Sequence, residues 1–150
     1  MRMRRVQVVA CLTISLLLSA CSSPSPLETL ADGPCTDDQK VLAQTHISAQ
    51  INAIAANDFA TAYTFAAPSF RESIDLEQFE LIIRAQYRVL ISNKGFSFDE
   101  CLVNDGQIRQ KVLVTGALQD AKLSYLLEVD QLKLGVIAAS IINEDANLNT

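Results

Sequence analysis

The sequence predicts an α+β domain with three N-terminal helices packed on a curved four-stranded antiparallel sheet. Three observations predict it. Apolar residues recur at helical spacing as far as about Leu90, and the period shifts to two after Asn93-Lys94-Gly95. Within the alternating region, Asn104-Asp105-Gly106 is a hairpin signal, because Asp-Gly tolerates the positive backbone angles of a tight turn. Helices first and strands afterwards place the helices on one face of a meander.

The first helix is expected to open at Thr36-Asp37-Asp38-Gln39, a capping-box pattern in which Thr36 accepts from an amide and Gln39 answers back. Ile47, Ile51, Ile54 and Ala55 then form a buried stripe, with Val41 a turn or two earlier, that ends near Ala56-Asn57. Asp58 is placed to cap a shorter second helix holding Phe59, Ala62, Tyr63 and Ala66, which Pro68 is expected to stop. Asp75 and Gln78 repeat the cap arrangement before a third helix whose apolar face is Leu76, Phe79, Ile82, Ile83, Tyr87 and Leu90.

In the strand region, Phe96 and Phe98 alternate with Ser97 and Asp99, and the run leads through Cys101 to Val103. A second strand from about Gln107 to Leu118 puts Ile108, Val112, Val114 and Leu118 on one face and Arg109, Lys111 and Thr115 on the other. After a turn at Gln119-Asp120, Leu123, Tyr125, Leu127 and Val129 alternate with Ser124 and Glu128. Asp130-Gln131 turns the chain into a last strand, Lys133 to Ile142. Its few polar positions predict two covered faces or a central place in the sheet.

Ahead of this domain, Arg2, Arg4 and Arg5 precede an apolar stretch from Val6 to Ala20, the pattern of a signal peptide. That stretch breaks into Ser22, Ser23, Pro24, Ser25 and Pro26, too soon for the roughly 20 apolar residues a membrane-spanning helix needs. Leu18-Ser19-Ala20-Cys21 resembles the lipobox of bacterial lipoproteins. An ordinary secretory site wants a small side chain three positions before the cut, where Leu18 is too bulky. The resemblance implies acylation of the Cys21 thiol, so that the lipid bilayer is a partner through Cys21. In Gram-negative bacteria, Ser22 in place of Asp implies the outer membrane facing the periplasm, and otherwise the address is the cell surface. The expected organisation is a signal peptide over 1–20, the lipidated Cys21 and a flexible tether over 21–34, the folded domain over 35–142, and a polar tail over 143–150.

The 150 residues contain 12 Lys plus Arg and 17 Asp plus Glu, for a net charge of −5. Removing Arg2, Arg4 and Arg5 with the signal leaves 9 against 17, or −8. So acidic a body repels phosphate backbones, and no nucleic-acid partner is expected. Of the 4 cysteines, Cys11 leaves with the signal and Cys21 takes the lipid, so Cys35 and Cys101 remain. In an oxidising compartment two such thiols pair as a rule, the alternative being two unconnected buried thiols. A bridge between them would close a long loop and stabilise the fold by roughly 4 kcal/mol on the chain-entropy model. There is no C-x-x-C pair and His46 is the only histidine, so neither a metal site nor a cofactor is expected.

The stretch Ala53-Ile54-Ala55-Ala56-Asn57-Asp58-Phe59-Ala60-Thr61-Ala62-Tyr63-Thr64-Phe65-Ala66-Ala67-Pro68-Ser69-Phe70-Arg71, followed by Leu76-Glu77-Gln78-Phe79, resembles the helical half of nuclear transport factor 2-like domains. It is similar to an uncharacterised bacterial family of that superfamily with an Asp-x-x-x-Ala-Tyr/Phe-x-x-Ala-x-Pro segment before a Phe-containing helix. The resemblance covers roughly Asp37 to Ile142, and departs where such domains often have a Trp leading the final strand, Leu132 standing in that neighbourhood. It implies a cone in which helices and a bent sheet enclose an apolar cavity. Relatives use that cavity as an isomerase or cyclase site, as a ligand pocket or merely as core, so fold alone does not choose among them.

Each candidate for chemistry has a plainer reading beside it. His46 has the ionisation range of a general base, but it lies between Thr45 and Ile47 with no identifiable partner, as a surface or edge histidine does. Asp58 and Asp75 have the side chains of cavity acids, yet both stand where helices begin, and capping explains them. Tyr63, Tyr87 and Tyr125 are the candidate ligand-binding residues, each bringing apolar bulk with one polar tip; the alternative is core packing with the hydroxyl at the rim. Arg109 and Lys111 share a strand face that is solvated by default. No Ser-His-Asp order or nucleotide loop occurs. The sequence therefore points to a non-catalytic envelope lipoprotein whose domain binds a small apolar ligand or an envelope protein. The alternatives are a small-molecule isomerase or hydrolase using a carboxylate and a tyrosine in the cavity, and a chiefly structural role.

Overall fold

The computed structural model describes residues 23–142. The signal peptide, Cys21 and the 143–150 tail expected from the sequence lie outside them. The described chain runs β1 (Gly33–Pro34), α1 (Asp37–Ala55), α2 (Phe59–Thr64), α3 (Pro68–Ser73), α4 (Leu76–Gln86), α5 (Arg88–Ile91), β2 (Asn93–Asn104), β3 (Gln107–Gly116), β4 (Ala121–Asp130) and β5 (Lys133–Ile141). The class is α+β with the helices between a short first strand and an antiparallel meander. The expected four strands and three helices are corrected to five strands in the order β1-β2-β3-β4-β5 and five helical segments.

The extra strand arises in the segment expected to be a flexible tether. Gly33 and Pro34 pair with Val103 and Leu102, and Cys35 N donates to Cys101 O at 3.0 Å. The Cys35–Cys101 disulfide lies directly beside this pairing, with the Cα atoms 5.4 Å apart. Upstream, Leu27 is buried in the core, and the Gln39 amide donates to Pro26 O and Thr29 O at 3.1 and 3.3 Å. From Pro26 to Pro34, therefore, the chain is bound along the domain. Two residues of Gly-Pro show no periodicity, which is why alternation alone does not reveal this strand.

Among the helices, Thr36 and Gln39 form the capping box of α1, and Asp75 and Gln78 that of α4. Pro68 starts α3 rather than ending α2, because proline at the first helical position lacks only an amide hydrogen that would have no partner there. The expected third helix is interrupted at Tyr87, whose φ of −121° and ψ of 36° are not helical, so that α5 sets off in a new direction. Val41, expected in the buried stripe, is 61% exposed, because Ala43, Ile47, Gln50, Ile51 and Ile54 form the face that meets the sheet.

The β2–β3 turn has Asp105 and Gly106 at φ 50° and 73°, and the β4–β5 turn has Gln131 and Leu132 at 48° and 61°. Leu132 thus belongs to a tight turn, ahead of the strand. β3 stops at Gly116, where Asp120 Oδ1 accepts from Gly116 N at 3.2 Å. Leu118, expected on the core face, lies past that stop and is fully exposed. β5 is an edge strand rather than a central one. Its apolar character follows from a strap, Phe65 to Ala67, that lies along it: Ala67 N donates to Val136 O and Val136 N to Phe65 O, each at 2.9 Å. Gly135 permits the approach, since a Cβ there would come within 2.5 Å of Ala67 Cα.

The core is continuous from Leu27 to Val136, with Ile47, Ile51 and Ile54 of α1 over Ile108, Val112, Leu123 and Leu127 of the sheet. The disulfide closes a loop spanning 66 residues. Losing it through Cys35→Ser with Cys101→Ser is expected to cost roughly 4 kcal/mol on the chain-entropy model. The check is the urea midpoint with and without reductant: it should fall on reduction in the native chain and stay put in the double variant.

Candidate functional site

Where α4 and α5 lift away from β4 and β5, the two layers leave a cavity of about 210 Å3. Gln50 and Ile54 of α1 form its floor, and Phe79, Ile82, Ile83 and Leu90 its helical wall. Tyr125 of β4 and the β5 segment from Val136 to Ala139 form the opposite wall, and Ala66 and Phe70 close the rim. The break at Tyr87 creates this space. A straight continuation of α4 would carry its apolar stripe onward along the sheet, whereas the turn into α5 directs the Tyr87 side chain across to β5.

Tyr87 lines the cavity, and its hydroxyl donates a short hydrogen bond to Ala139 O. Partial burial pushes its pKa up. Tyr125 lines it too and is 1% exposed. Burial, reinforced by nearby Tyr87, raises its pKa strongly, so the phenol keeps its proton. No described residue hydrogen-bonds the Tyr125 hydroxyl, which opens onto the cavity. Tyr63 does not reach this space. Its ring packs on Phe79 with centroids 5.6 Å apart, and its hydroxyl donates to Ile74 O at 2.6 Å, tying α2 to the start of α4.

The candidate acids and base also lie elsewhere. Asp58 accepts from Thr61 N at 3.0 Å at the start of α2, and that hydrogen bond lowers its pKa. Asp75 accepts from Gln78 N at 2.9 Å. Both act as helix caps, and the cavity lining contains no Asp or Glu. His46 Nε2 donates to Phe65 O at 2.9 Å, which assigns the proton to Nε2, since a carbonyl only accepts. Its ring meets that of Phe65 edge-on. His46 thus supports the strap from behind. Burial lowers its pKa, outweighing the opposite effect of the Phe65 bond. Arg109 and Lys111 are on the far face of the sheet, where Lys111 pairs with Glu100 at 2.7 Å. Among the described residues no group of His, Cys, Asp and Glu is arranged to hold a metal ion.

Sequence reasoning missed the buried glutamines. Gln50 lines the cavity; its Nε2 donates to Ala62 O at 3.2 Å, and its Oε1 accepts from no described residue. Gln110 is fully buried opposite Tyr125. Its Nε2 donates to Asp99 O, Glu100 O and Lys111 O, two of them in the bulge between Phe98 and Cys101. Its Oε1 is buried without a partner. The signal was there: Gln50 is in phase with Ile47 and Ile54, and Gln110 with Ile108 and Val112. A polar residue at a core phase of the pattern marks a place where irregular backbone or a ligand must be satisfied.

A wider depression of about 940 Å3 lies between α5 and the Gly116–Lys122 turn. Much of its wall is turn backbone and polar side chain, and it spreads across the surface. The tyrosine cavity is the better candidate because its lining is mostly apolar and furnished with a few polar groups.

The domain is α+β, with its helices over one sheet face and a cavity lined by uncharged residues between the layers. The chain belongs to the family described as a domain of unknown function, DUF4864, which matches residues 36–148. No curated protein and no solved structure matches it.

Two predictions follow from these contacts. The imidazole of His46, alone of its kind in the chain, should titrate by NMR with a midpoint below 6.5. Because its folded pKa is depressed, its contribution to stability is full above pH 6.5 and is lost as pH falls through the folded value. A midpoint above 6.5 would contradict the burial argument. Tyr87→Phe removes a made hydrogen bond and should cost about 1 kcal/mol, whereas Tyr125→Phe removes an unpaired hydroxyl and should be neutral or slightly stabilising in urea titrations. Equal losses in the two variants would mean that the Tyr125 hydroxyl has a partner.

Proposed function

We propose that this chain is an exported lipoprotein, acylated at Cys21, whose domain binds a small and largely apolar ligand in the α4–β5 cavity without transforming it. The observation that carries the ligand reading is the cavity itself: a space between the helices and the sheet lined by apolar side chains, two tyrosines and a glutamine, with no acid or base in its wall. An isomerase or hydrolase needs a group that moves a proton near neutral pH, and the lining offers none. The resemblance to nuclear transport factor 2-like domains adds a precedent for a small molecule held between helices and sheet.

The lipobox pattern at Leu18-Ser19-Ala20-Cys21 supports the anchor, and the Cys35–Cys101 disulfide supports an oxidising address. No described helix is long and apolar enough to cross a membrane, so in this reading the bilayer is met through the acyl chains. The site is the outer membrane facing the periplasm in a Gram-negative cell, and otherwise the cell surface.

The test has two arms. Cys21→Ser should abolish labelling by a palmitate analogue and release the protein from the membrane fraction; persistent labelling would refute acylation there. Ala139→Leu should fill the cavity from β5. Saturating toluene is expected to raise the melting temperature of the parent domain and to leave that of Ala139→Leu unchanged. In an already packed interior the same substitution would overpack and cost about 1–3 kcal/mol, and toluene would shift neither protein.

A further inference from the structure

We propose that the ligand of this cavity is an uncharged molecule about the size of one substituted ring, with a single head group that accepts a hydrogen bond from Tyr125 and donates one to Gln50. The inference rests on the reading that the cavity holds a ligand, and adds the chemical class. Size comes first: apolar cavities of about 150 Å3 take up benzene. The 210 Å3 here therefore holds a ring and a few further atoms.

The polar inventory sets the rest. Tyr125 and Gln50 are 1% and 3% exposed, and both line the cavity. The Gln50 amide cannot turn round, because Ala62 O at 3.2 Å requires the nitrogen on its side. That leaves Oε1, an acceptor, on the cavity wall. The Tyr87 proton is committed to Ala139 O, so Tyr87 presents only acceptor lone pairs. Tyr125 supplies a hydroxyl donor, and the second N–H of Gln50 Nε2 is a further donor without a described partner. A hydroxyl or a primary or secondary amide satisfies such a wall, because it accepts and donates at once.

Charged heads fit poorly. The lining holds no Lys, Arg or His to receive a carboxylate and no Asp or Glu to receive an ammonium. A buried ion is favourable only when paired and fully hydrogen-bonded. A carboxylate would have only neutral donors and no cation to pair with. An ammonium would have neutral oxygens and the ring faces of Phe70 and Phe79, which compensate only in part for lost hydration.

The test uses residues 22–150, which include every residue of the core, and four probes sharing one ring: benzyl alcohol, toluene, benzoate and benzylammonium. By titration calorimetry at pH 7, benzyl alcohol should bind best and toluene about tenfold more weakly, the size of one hydrogen bond. The two ions should bind more weakly than toluene. Tyr125→Phe should bring benzyl alcohol down to the affinity of toluene and leave toluene unchanged. Either ion binding as tightly as benzyl alcohol, or a preference for the alcohol that survives Tyr125→Phe, would overturn the ligand class alone. Failure of all four probes to bind would overturn the cavity reading and this inference with it.

Discussion

The structure depends on how the two edges of one antiparallel sheet are closed. An edge strand presents unpaired amides and carbonyls, and these must meet water or a partner. At one edge the partner is β1, two residues long and secured by the Cys35–Cys101 bond immediately after it. At the other it is the strap from Phe65 to Ala67, which exchanges two hydrogen bonds with Val136. The strap joins α2 to α3 and so also sets the height at which the helical layer stands above β5. His46 meets the same Phe65 carbonyl from α1, making one oxygen the junction of helix, strap and sheet. The cavity lies directly behind that junction, with Ala66 and Phe70 on its rim.

Three buried glutamines serve the irregular backbone that such closure creates. Gln39 reaches Pro26 O and Thr29 O in the docked N-terminal segment, Gln50 reaches Ala62 O at the end of α2, and Gln110 reaches the carbonyls freed by the bulge in β2. A primary amide suits this role because its two donors stand apart and can serve carbonyls that no regular ladder pairs. Gln39 also returns its oxygen to Thr36 N, so its side chain is satisfied at both ends. Gln50 and Gln110 keep an oxygen over. The oxygen of Gln110 is sealed in the core, whereas Gln50 lines the cavity. That difference in access, rather than in chemistry, separates a structural glutamine from one available to a ligand.

Much of the fold was legible in the sequence, and the failures share one physical cause. Long periodic segments declared themselves: both capping boxes, the stripe of α1 from Ile47 to Ile54, the alternation of β3 and β4, and the Asp105-Gly106 turn. Pattern fails where a contact is made by too few residues to show a period. β1 is two residues long, the strap is three, and the helix break falls on Tyr87 alone. Pro68 misled because its effect depends on which side of it the helix lies. Leu118 misled because alternation continues past Gly116 while the strand does not. Of the three candidate tyrosines, Tyr87 and Tyr125 line the cavity and Tyr63 packs on Phe79 outside it. A cavity is the space that side chains fail to fill, and no residue in the sequence encodes it.

The unpaired Tyr125 hydroxyl is the point at which stability and function diverge. The hydroxyl has no hydrogen bond to a described residue, and phenylalanine would keep the buried ring without that unpaired group. The other two tyrosines pair their hydroxyls: Tyr87 reaches a strand carbonyl and Tyr63 reaches Ile74 O. Against those paired hydroxyls, one left unpaired in the cavity lining is a local departure from what folding alone favours, and such departures are expected at functional sites. The hydroxyl is paired when a third group enters and supplies the missing acceptor. Binding then stabilises the fold through a bond the empty domain lacks, in a wall whose other members, Ile82, Ile83 and Ile137, contribute shape and the exclusion of water.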